Sequence, residues 1–543
     1  MRKAGFIFIV MSALVWAAAS WAAAAEESDL ATDITKEVLV GPGSVQVATG
    51  KDILMSFGAQ IRMIPTSETA YDFGMSEKVS SYLGGVYSKD FFKDHLIESG
   101  WVNHSYIRSE DRLYFNAMPK DRKWSFYAAL EFDRALETSS VDSRGGKSNN
   151  DSNFGLERVQ GTMALPLGMR LHAGWDIWQL DVGDGAGLVY GDDNPGFWLT
   201  GGDKALNFNV GYFKLVENNF QASAGSLNNA SDDDRTLYAG HLTWRPAPGN
   251  KFKFFGAYDR IRSAIARDFT SAMTSGAFGT SSGRVPDVDS YHAGLFYVGK
   301  FGGLQLFAEG VYQFGTADNT GLAKGDYDIN AYAFAGDVSY KIKGDSGLTI
   351  TPHAGFMYTS GDDDPNDDEL GGYTGVTNAN RFSRYWGGEN TIVGDTNLVF
   401  GSIVYGYLPE FYGNGTPVGT GGLAPQLGSG RGDNPGLTMY SLGLTLSPAK
   451  YLVYKTNANI FSFNEDFQVF NWVTGSGYTT VDAGYMGTEW DNELTFAMSK
   501  HTFLKGQASV LFPGSGLEDV TQALGAKSDD RAVRFALELI WNF

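Results

Sequence analysis

The sequence predicts an all-β protein, a transmembrane antiparallel β-barrel of about eighteen strands with sixteen as the lower alternative. Three observations predict it. Apolar and polar residues alternate at period two over runs of about eleven residues, long enough to cross a bilayer at a tilt. These runs come in pairs joined by tight Pro- and Gly-containing turns, and long polar stretches separate one pair from the next. No stretch after the first twenty-five residues approaches the roughly 18 consecutive apolar residues of a membrane helix.

Composition removes other classes. The chain has 543 residues, 43% hydrophobic, 14% aromatic and 19% charged, which is too apolar and aromatic for disorder. It has no cysteine. Disulfides, thiolate metal sites, Cys nucleophiles and C-x-x-C-H haem attachment are therefore excluded. Lys+Arg number 42 against 62 Asp+Glu, a net charge of −20, which argues against nucleic acid as a partner.

The first twenty-five residues read as an address. Arg2 and Lys3 form a basic n-region, Ala4 to Ala18 an apolar h-region, and Ala23-Ala24-Ala25 a small-residue cleavage site before Glu26. The expected organisation is a signal peptide at 1–25, a periplasmic N-terminal segment at 26–51, and an outer-membrane barrel at 52–543. An exported chain without spanning helices crosses a membrane only as a closed barrel.

The strands follow in order. Ile53, Met55, Phe57, Ala59, Ile61 and Met63 share one face, and Leu54, Ser56, Gly58, Gln60 and Arg62 the other. Short turns then separate 112–118 from 123–136, 154–165 from 169–181, 190–200 from 205–216, and 235–245 from 251–265. The same pattern separates 290–298 from 304–315, 328–342 from 347–360, 437–446 from 451–463, and 487–498 from 503–513. Pro119, Pro166, Pro246, Pro248 and Gly303 belong in such turns because a central ladder cannot use them. The closing strand alternates Val533, Phe535, Leu537, Leu539, Trp541 and Phe543 against Arg534, Ala536, Glu538, Ile540 and Asn542. Nine long connections and eight short turns put both termini on the short-turn, periplasmic side.

One face is apolar. Tyr332, Phe334, Val338, Tyr340 and Ile342 form such a row, as do Tyr440, Leu442, Leu444 and Leu446, while Trp244, Tyr312, Tyr358 and Trp541 suit interfacial girdles. The opposite face carries charges of both signs. An Arg or Lys facing lipid at mid-depth costs about 2–4 kcal/mol, so these residues are expected to line water. The pore-lining candidates are Arg62, Glu131, Asp133, Arg158, Arg170, Asp176, Glu309, Lys341, Glu489, Asp491, Glu493, Arg534 and Glu538. Eighteen strands enclose a space too wide for side chains to fill, so an aqueous channel narrowed by inward loops is expected.

Two features stand out. Glu489, Asp491 and Glu493 place three carboxylates on one interior stripe, read either as a cation-selecting row or as a network paired with Lys and Arg of neighbouring strands. The connection at 361–436 is the longest. It opens with the acidic run Asp362–Glu369, continues through Arg381 and Arg384, and ends in a Gly-rich run from Gly413 to Gly436. A constriction folded into the lumen, a Ca²⁺ site without EF-hand spacing, and a solvated surface loop are its three readings.

Gly487-Thr488-Glu489-Trp490-Asp491, then Leu511-Phe512-Pro513-Gly514, and the terminal Phe543 resemble the closing strands of alginate-export-type outer-membrane porins. The resemblance covers roughly the last sixty residues. It implies an eighteen-stranded barrel that passes solutes or an anionic polysaccharide, and a terminal Phe read by the barrel-assembly machinery. That family has a strongly basic lumen, whereas the interior candidates here are mixed and slightly acidic, which counts against an anionic polymer as cargo.

The expected function is a porin for passive or substrate-selective passage of small hydrophilic solutes or ions, in contact with outer-membrane lipid and lipopolysaccharide, and needing no cofactor. The alternative is a sheath or partner for a periplasmic or outer-membrane multihaem cytochrome in transmembrane electron transfer. This chain, lacking haem-binding cysteines, would supply only the barrel. An enzyme is not expected. His104 and Ser105 are the tempting pair, but neighbouring residues on a strand point to opposite faces, so they cannot cooperate directly if they lie on one, and no G-x-S-x-G or H-E-x-x-H motif is present.

Overall fold

The computed structural model describes residues 45–47, 52–70, 73–74, 104–136, 155–181, 186–216, 234–262, 287–318, 326–344, 347–364, 367–378, 386–387, 390–393, 434–470, 478–524 and 527–543. The 1–25 leader and most of the 26–51 segment lie outside the described residues, as do Arg381, Arg384 and nearly all of the Gly-rich run.

Eighteen long strands pair with their sequence neighbours. They are β1 (Ile53–Thr69), β2 (His104–Pro119), β3 (Trp124–Leu136), β4 (Gly155–Ala164), β5 (Arg170–Gln179) and β6 (Tyr190–Gly202). Next come β7 (Leu206–Val216), β8 (Arg235–Ala247), β9 (Asn250–Ile261), β10 (Asp287–Phe301), β11 (Leu304–Asp318) and β12 (Tyr327–Tyr340). The last are β13 (Thr349–Thr359), β14 (Leu437–Ala449), β15 (Leu452–Phe463), β16 (Gly484–Ala497), β17 (Thr502–Pro513) and β18 (Ala532–Asn542). The register Ile61↔Trp541 and Thr69↔Val533 joins β1 antiparallel to β18 and closes the cylinder. Closure satisfies every strand edge, which lipid requires. Below the end of β18, the edge of β1 is covered by Val45–Val47, paired with Met55–Phe57.

The period-two pattern is realised as expected. On β1, Phe57 and Ile61 are exposed while Gln60 and Arg62 are buried. On β12, Tyr332, Phe334, Val338 and Tyr340 face out and Ala331, Ala333, Ala335 and Asp337 face in. The outer band has aromatic girdles at both levels. Near the long-loop end, Tyr238 stacks on Tyr258 at 5.7 Å, Tyr258 on Tyr291 at 4.6 Å and Tyr291 on Phe314 at 5.4 Å. Near the short-turn end, Trp244 stacks on Phe252 at 5.5 Å.

Short turns hold the pairs in register. In the β6–β7 turn, Asp203 accepts hydrogen bonds from the Ala205 and Leu206 N–H groups at 2.7 and 2.9 Å. The Leu206 and then the Ala205 bond hold its carboxyl below the ordinary carboxylate range. Among the described residues there is one α-helix, α1 (Ser515–Leu524), which crosses the long-loop end and buries Leu517, Val520 and Ala523. Among the described residues no helix is long and apolar enough to cross a membrane.

The interior differs from expectation in one respect. The inner face of β6–β13 is not uniformly polar. Trp198, Phe213, Leu237, Phe255, Phe296, Phe307, Val311 and Met357 are buried there in one apolar cluster. Alternation marks which residues face inward. It does not reveal that inward-folded chain gives part of that face a dry partner.

Candidate functional site

The site is the inner wall, and it has two halves. One half runs across the closing seam from β15 to β5 and carries a ladder of charges. On β15 and β16, Lys455 lies opposite Glu493 and their side chains pair at 3.5 Å. Lys505 on β17 reaches Glu493 at 3.9 Å and Glu538 on β18 at 3.0 Å. Arg62 bridges the seam, donating to Glu538 at 3.1 Å and to Glu110 on β2 by a shorter contact. Arg112 continues to Glu110 at 2.9 Å and Glu131 on β3 at 2.5 Å. A register shift between Ala129 and Leu130 lets Glu157 join, 3.9 Å from Arg112 and 3.3 Å from Arg158. The ladder ends on β4 and β5. There Gln160 donates to Asp176 and bonds His172 at 2.9 Å, and Arg170 donates to Thr162 Oγ1 at 2.7 Å and the Arg122 carbonyl at 2.8 Å. This wall keeps contact with water. Side-chain exposure is 26% for Lys455, 15% for Glu493, 16% for Arg112, 20% for Glu157 and 17% for Arg158.

The other half is covered by chain folded inward. The β5–β6 connection crosses to the far wall. Its Ala186 N–H donates to Glu309 on β11 at 2.7 Å, and Lys253 on β9 donates to the Leu180 carbonyl at 2.9 Å. Asp181 accepts from the Val189 and Tyr190 N–H groups and fixes the return to β6. The first part of the long connection crosses in the opposite direction. Glu369–Leu370 pairs beside Asp328–Ile329 of β12. Thr374 then donates its N–H to Gln313 at 2.9 Å and lies 3.0 Å from His292 Nε2. Thr377–Asn378 pairs beside Tyr190–Gly191 of β6. Tyr373, fully buried between them, donates to the Leu188 carbonyl at 2.8 Å, and burial pushes its phenol well above the ordinary value.

A third inward piece, Trp386–Gly387 with Asn390–Val393, lies against β12–β18. Trp386 Nε1 donates to Asp337 Oδ2 at 3.3 Å, and His353 Nδ1 lies 2.8 Å from the same oxygen. With its amide nitrogen toward His353 Nε2 at 2.7 Å, Asn457 accepts the Gly387 N–H at 3.1 Å. Gly355 makes the room: a Cβ there would sit 2.0 Å from Trp386 Nε1. Glu489 accepts the Ile392 and Val393 N–H groups, the latter at 3.0 Å. Asn459 donates to Asp491 at 3.0 Å, and Ser509 donates to Asn390 Oδ1 at 2.9 Å.

The candidates therefore divide. Arg62, Glu131, Arg158, Arg170, Asp176, Glu493 and Glu538 stand on the charged wall. Arg534 donates to Gln507 at 3.1 Å beside it. Glu309, Glu489 and Asp491 are buried against inward chain. The stripe on β16 splits: its lower carboxylate pairs with lysines, while the upper two face the strap. Lys341 is exposed at the β12–β13 turn. The Asp133 and His104 side chains lie outside the described residues, and Ser105 donates to Ser67 Oγ at 3.2 Å. Among the described residues no group of three or more His, Cys, Asp or Glu side chains is arranged to hold a metal ion. Sequence reasoning missed Glu110 and Arg112. Asp111, a polar residue in phase with the outward Ile107, Leu113 and Phe115, interrupts the alternation and hides the first half of β2.

Comparison with known proteins adds the following. A model of the autotransporter β-domain family matches residues 269–380, well under half of the chain. No curated protein matches. Similar solved structures include a BenF-like porin from Pseudomonas fluorescens Pf-5, with 12% identity over 90% of this chain and 99% of that one and a TM-score of 0.46. The outer membrane protein opdK from Pseudomonas aeruginosa has 11% identity over 90% of this chain and 98% of that one, with a TM-score of 0.46. Pseudomonas aeruginosa OccK2 (OpdF) in complex with glucuronate has 13% identity over 90% and 98%, with a TM-score of 0.45. The strand pairing itself makes this chain a closed barrel, and its lipid-facing band with girdles at both levels makes it a barrel of the outer membrane.

Proposed function

We propose that the protein is a channel for small hydrophilic solutes or ions, with passage running along the charged wall. The observation that carries the reading is the contrast in access. Lys455, Glu493, Arg112, Glu157 and Arg158 keep part of their surface in water, while the facing apolar wall is sealed by chain. Arg62, Glu131, Arg170, Asp176 and Glu538 belong to the same lining in this proposal. Both signs alternate along the wall, so water and small polar solutes would cross a transverse field. A polyanion would instead meet a carboxylate beside nearly every cation. The likeness of the closing strands to alginate-export-type porins supports a channel and leaves that cargo disfavoured. A sheath around a haem protein fares worse, because the protein's own inward segments occupy space that a cytochrome would need.

Purified protein in planar bilayers tests the proposal. Discrete conductance steps and uptake of small sugars or amino acids into proteoliposomes are expected. A folded barrel that inserts yet passes neither ions nor solutes would overturn it.

A further inference from the structure

Glu489 and Asp491 stand two residues apart on the inner face of β16, and both are fully buried. As successive inward residues of one strand, they project side by side into the dry space beneath the strap, where a Cβ on Gly387 would sit 3.2 Å from Asp491 Oδ2. The two carboxyls are not held alike. Glu489 accepts two backbone N–H groups, from Ile392 and Val393. Two such donors favour its ionised form. Asp491 takes one hydrogen bond on Oδ2, from Asn459. Its Oδ1 is buried with no partner among the described residues. Two ionised carboxylates cannot share so small a dry space, and such pairs hold one proton between them.

The charged and titratable groups around the pair come from every packed element. From β18 comes Arg534, whose guanidinium is turned to Gln507 and Asn390. From β15 comes Asn459 and from β17 Ser509, both neutral. From β12 and β13 come Asp337 and His353, which bind each other and Trp386. None of these makes an ion pair of 4.0 Å or less with Glu489 or Asp491 among the described residues.

We propose that Glu489 and Asp491 form a proton-binding site that clasps the strap Trp386–Gly387 and Asn390–Val393 to the barrel wall, so that loss of the proton releases the strap. The proton resides on Asp491 Oδ1 and is donated to the Glu489 carboxylate, which in turn holds the strap's N–H groups. When it leaves to lumen water, two adjacent carboxylates remain. Their repulsion drives Glu489 off the strap, and the lumen beside the charged wall widens. This regulation rests on the channel reading, but the clasp itself is testable without it.

The chain has no cysteine, so a single introduced thiol reports on the strap alone. Val393→Cys, with Ile392→Cys as a second reporter, is labelled with a charged thiol reagent in the full-length protein in vesicles. Rates are taken from about pH 5 to about pH 9 and divided by those of Leu167→Cys in the exposed β4–β5 turn. The ratio is expected to rise by about tenfold or more. In Asp491→Asn, whose amide donates to Glu489 at every pH, the ratio is expected to stay flat and low. A flat ratio with Asp491 intact, or an equal rise in Asp491→Asn, would overturn the clasp. Conductance recorded on the same proteins separates the two claims. Silent barrels with the expected labelling sink the channel and keep the clasp, whereas conducting barrels with flat labelling do the reverse.

Discussion

The two halves of the inner wall share one backbone geometry and solve opposite problems. From β15 through the seam to β5, inward residues are long and charged, and they satisfy one another across strands: Lys455 with Glu493, Lys505 with Glu538, Arg62 with Glu110, Arg112 with Glu131. From β6 to β13, many are small or aromatic, such as Ala331, Ala333, Ala335, Phe255 and Phe296. Small residues leave space, and apolar ones gain by excluding water. Chain from two connections fills that space, with Glu309, Gln313, Lys253 and His292 satisfying its backbone. Where charges pair with one another the wall takes no chain from the loops; where it is built of alanines and phenylalanines, or where a carboxyl accepts strap N–H groups as Glu489 does, it takes chain.

The comparison can be broken most sharply at Arg62. Replacing it with Met leaves Glu110 to Arg112 alone and Glu538 to Lys505 alone, so each buried carboxylate loses one of its two cations, and a loss of about 3 kcal/mol is expected. Urea unfolding in vesicles, followed by heat-modifiable gel mobility, measures it. An unchanged midpoint would mean that the ladder adds nothing to the seam.

On the covered wall, Gln313→Leu strips the Thr374 N–H of its acceptor at 2.9 Å. A cost of about 1–3 kcal/mol is expected, together with larger and noisier conductance as the crossing segment loosens. Equal stability with unchanged conductance would show that this segment is held elsewhere. Gly355→Ala tests the strap's seat by space alone. The added methyl displaces Trp386 from Asp337, and about 1–3 kcal/mol of overpacking strain is expected. Faster labelling of Val393→Cys in that background is the readout.

Lys455→Glu leaves the fold intact and sharpens the functional side of the comparison. Removing a cation from the wet wall shifts the reversal potential in a salt gradient toward cation preference, while the same charge change at exposed Lys341 shifts it less. The smallest effect belongs to a turn outside both walls. Asp203 has a lowered carboxyl value, so its contribution is present above the unfolded carboxylate range and lost as pH falls through the folded one. Asp203→Ala is therefore expected to slow refolding slightly at neutral pH and not at all in strong acid.

Strand number, turn positions and the lipid-facing rows were legible in the sequence because a period of two records which side chains meet lipid. The charged wall was partly legible for the same reason, since Arg62, Glu131, Arg158, Glu493 and Glu538 stand in phase. Glu110 and Arg112 were hidden because Asp111 breaks the outward row, and the pairing that rescues it is made with the Arg62 N–H and Ser109.

The sequence by itself determined the barrel, since alternation and turn chemistry are local and each strand carries its own copy of the signal. Only the tertiary structure decided which interior charges face one another and which hold inward chain. Those partners lie tens to hundreds of residues apart, as with Glu489 and Val393 or Arg62 and Glu538, and no local period encodes them. Whether a buried carboxylate meets a lysine, a backbone N–H or a second carboxyl is settled when the cylinder closes and the loops enter it.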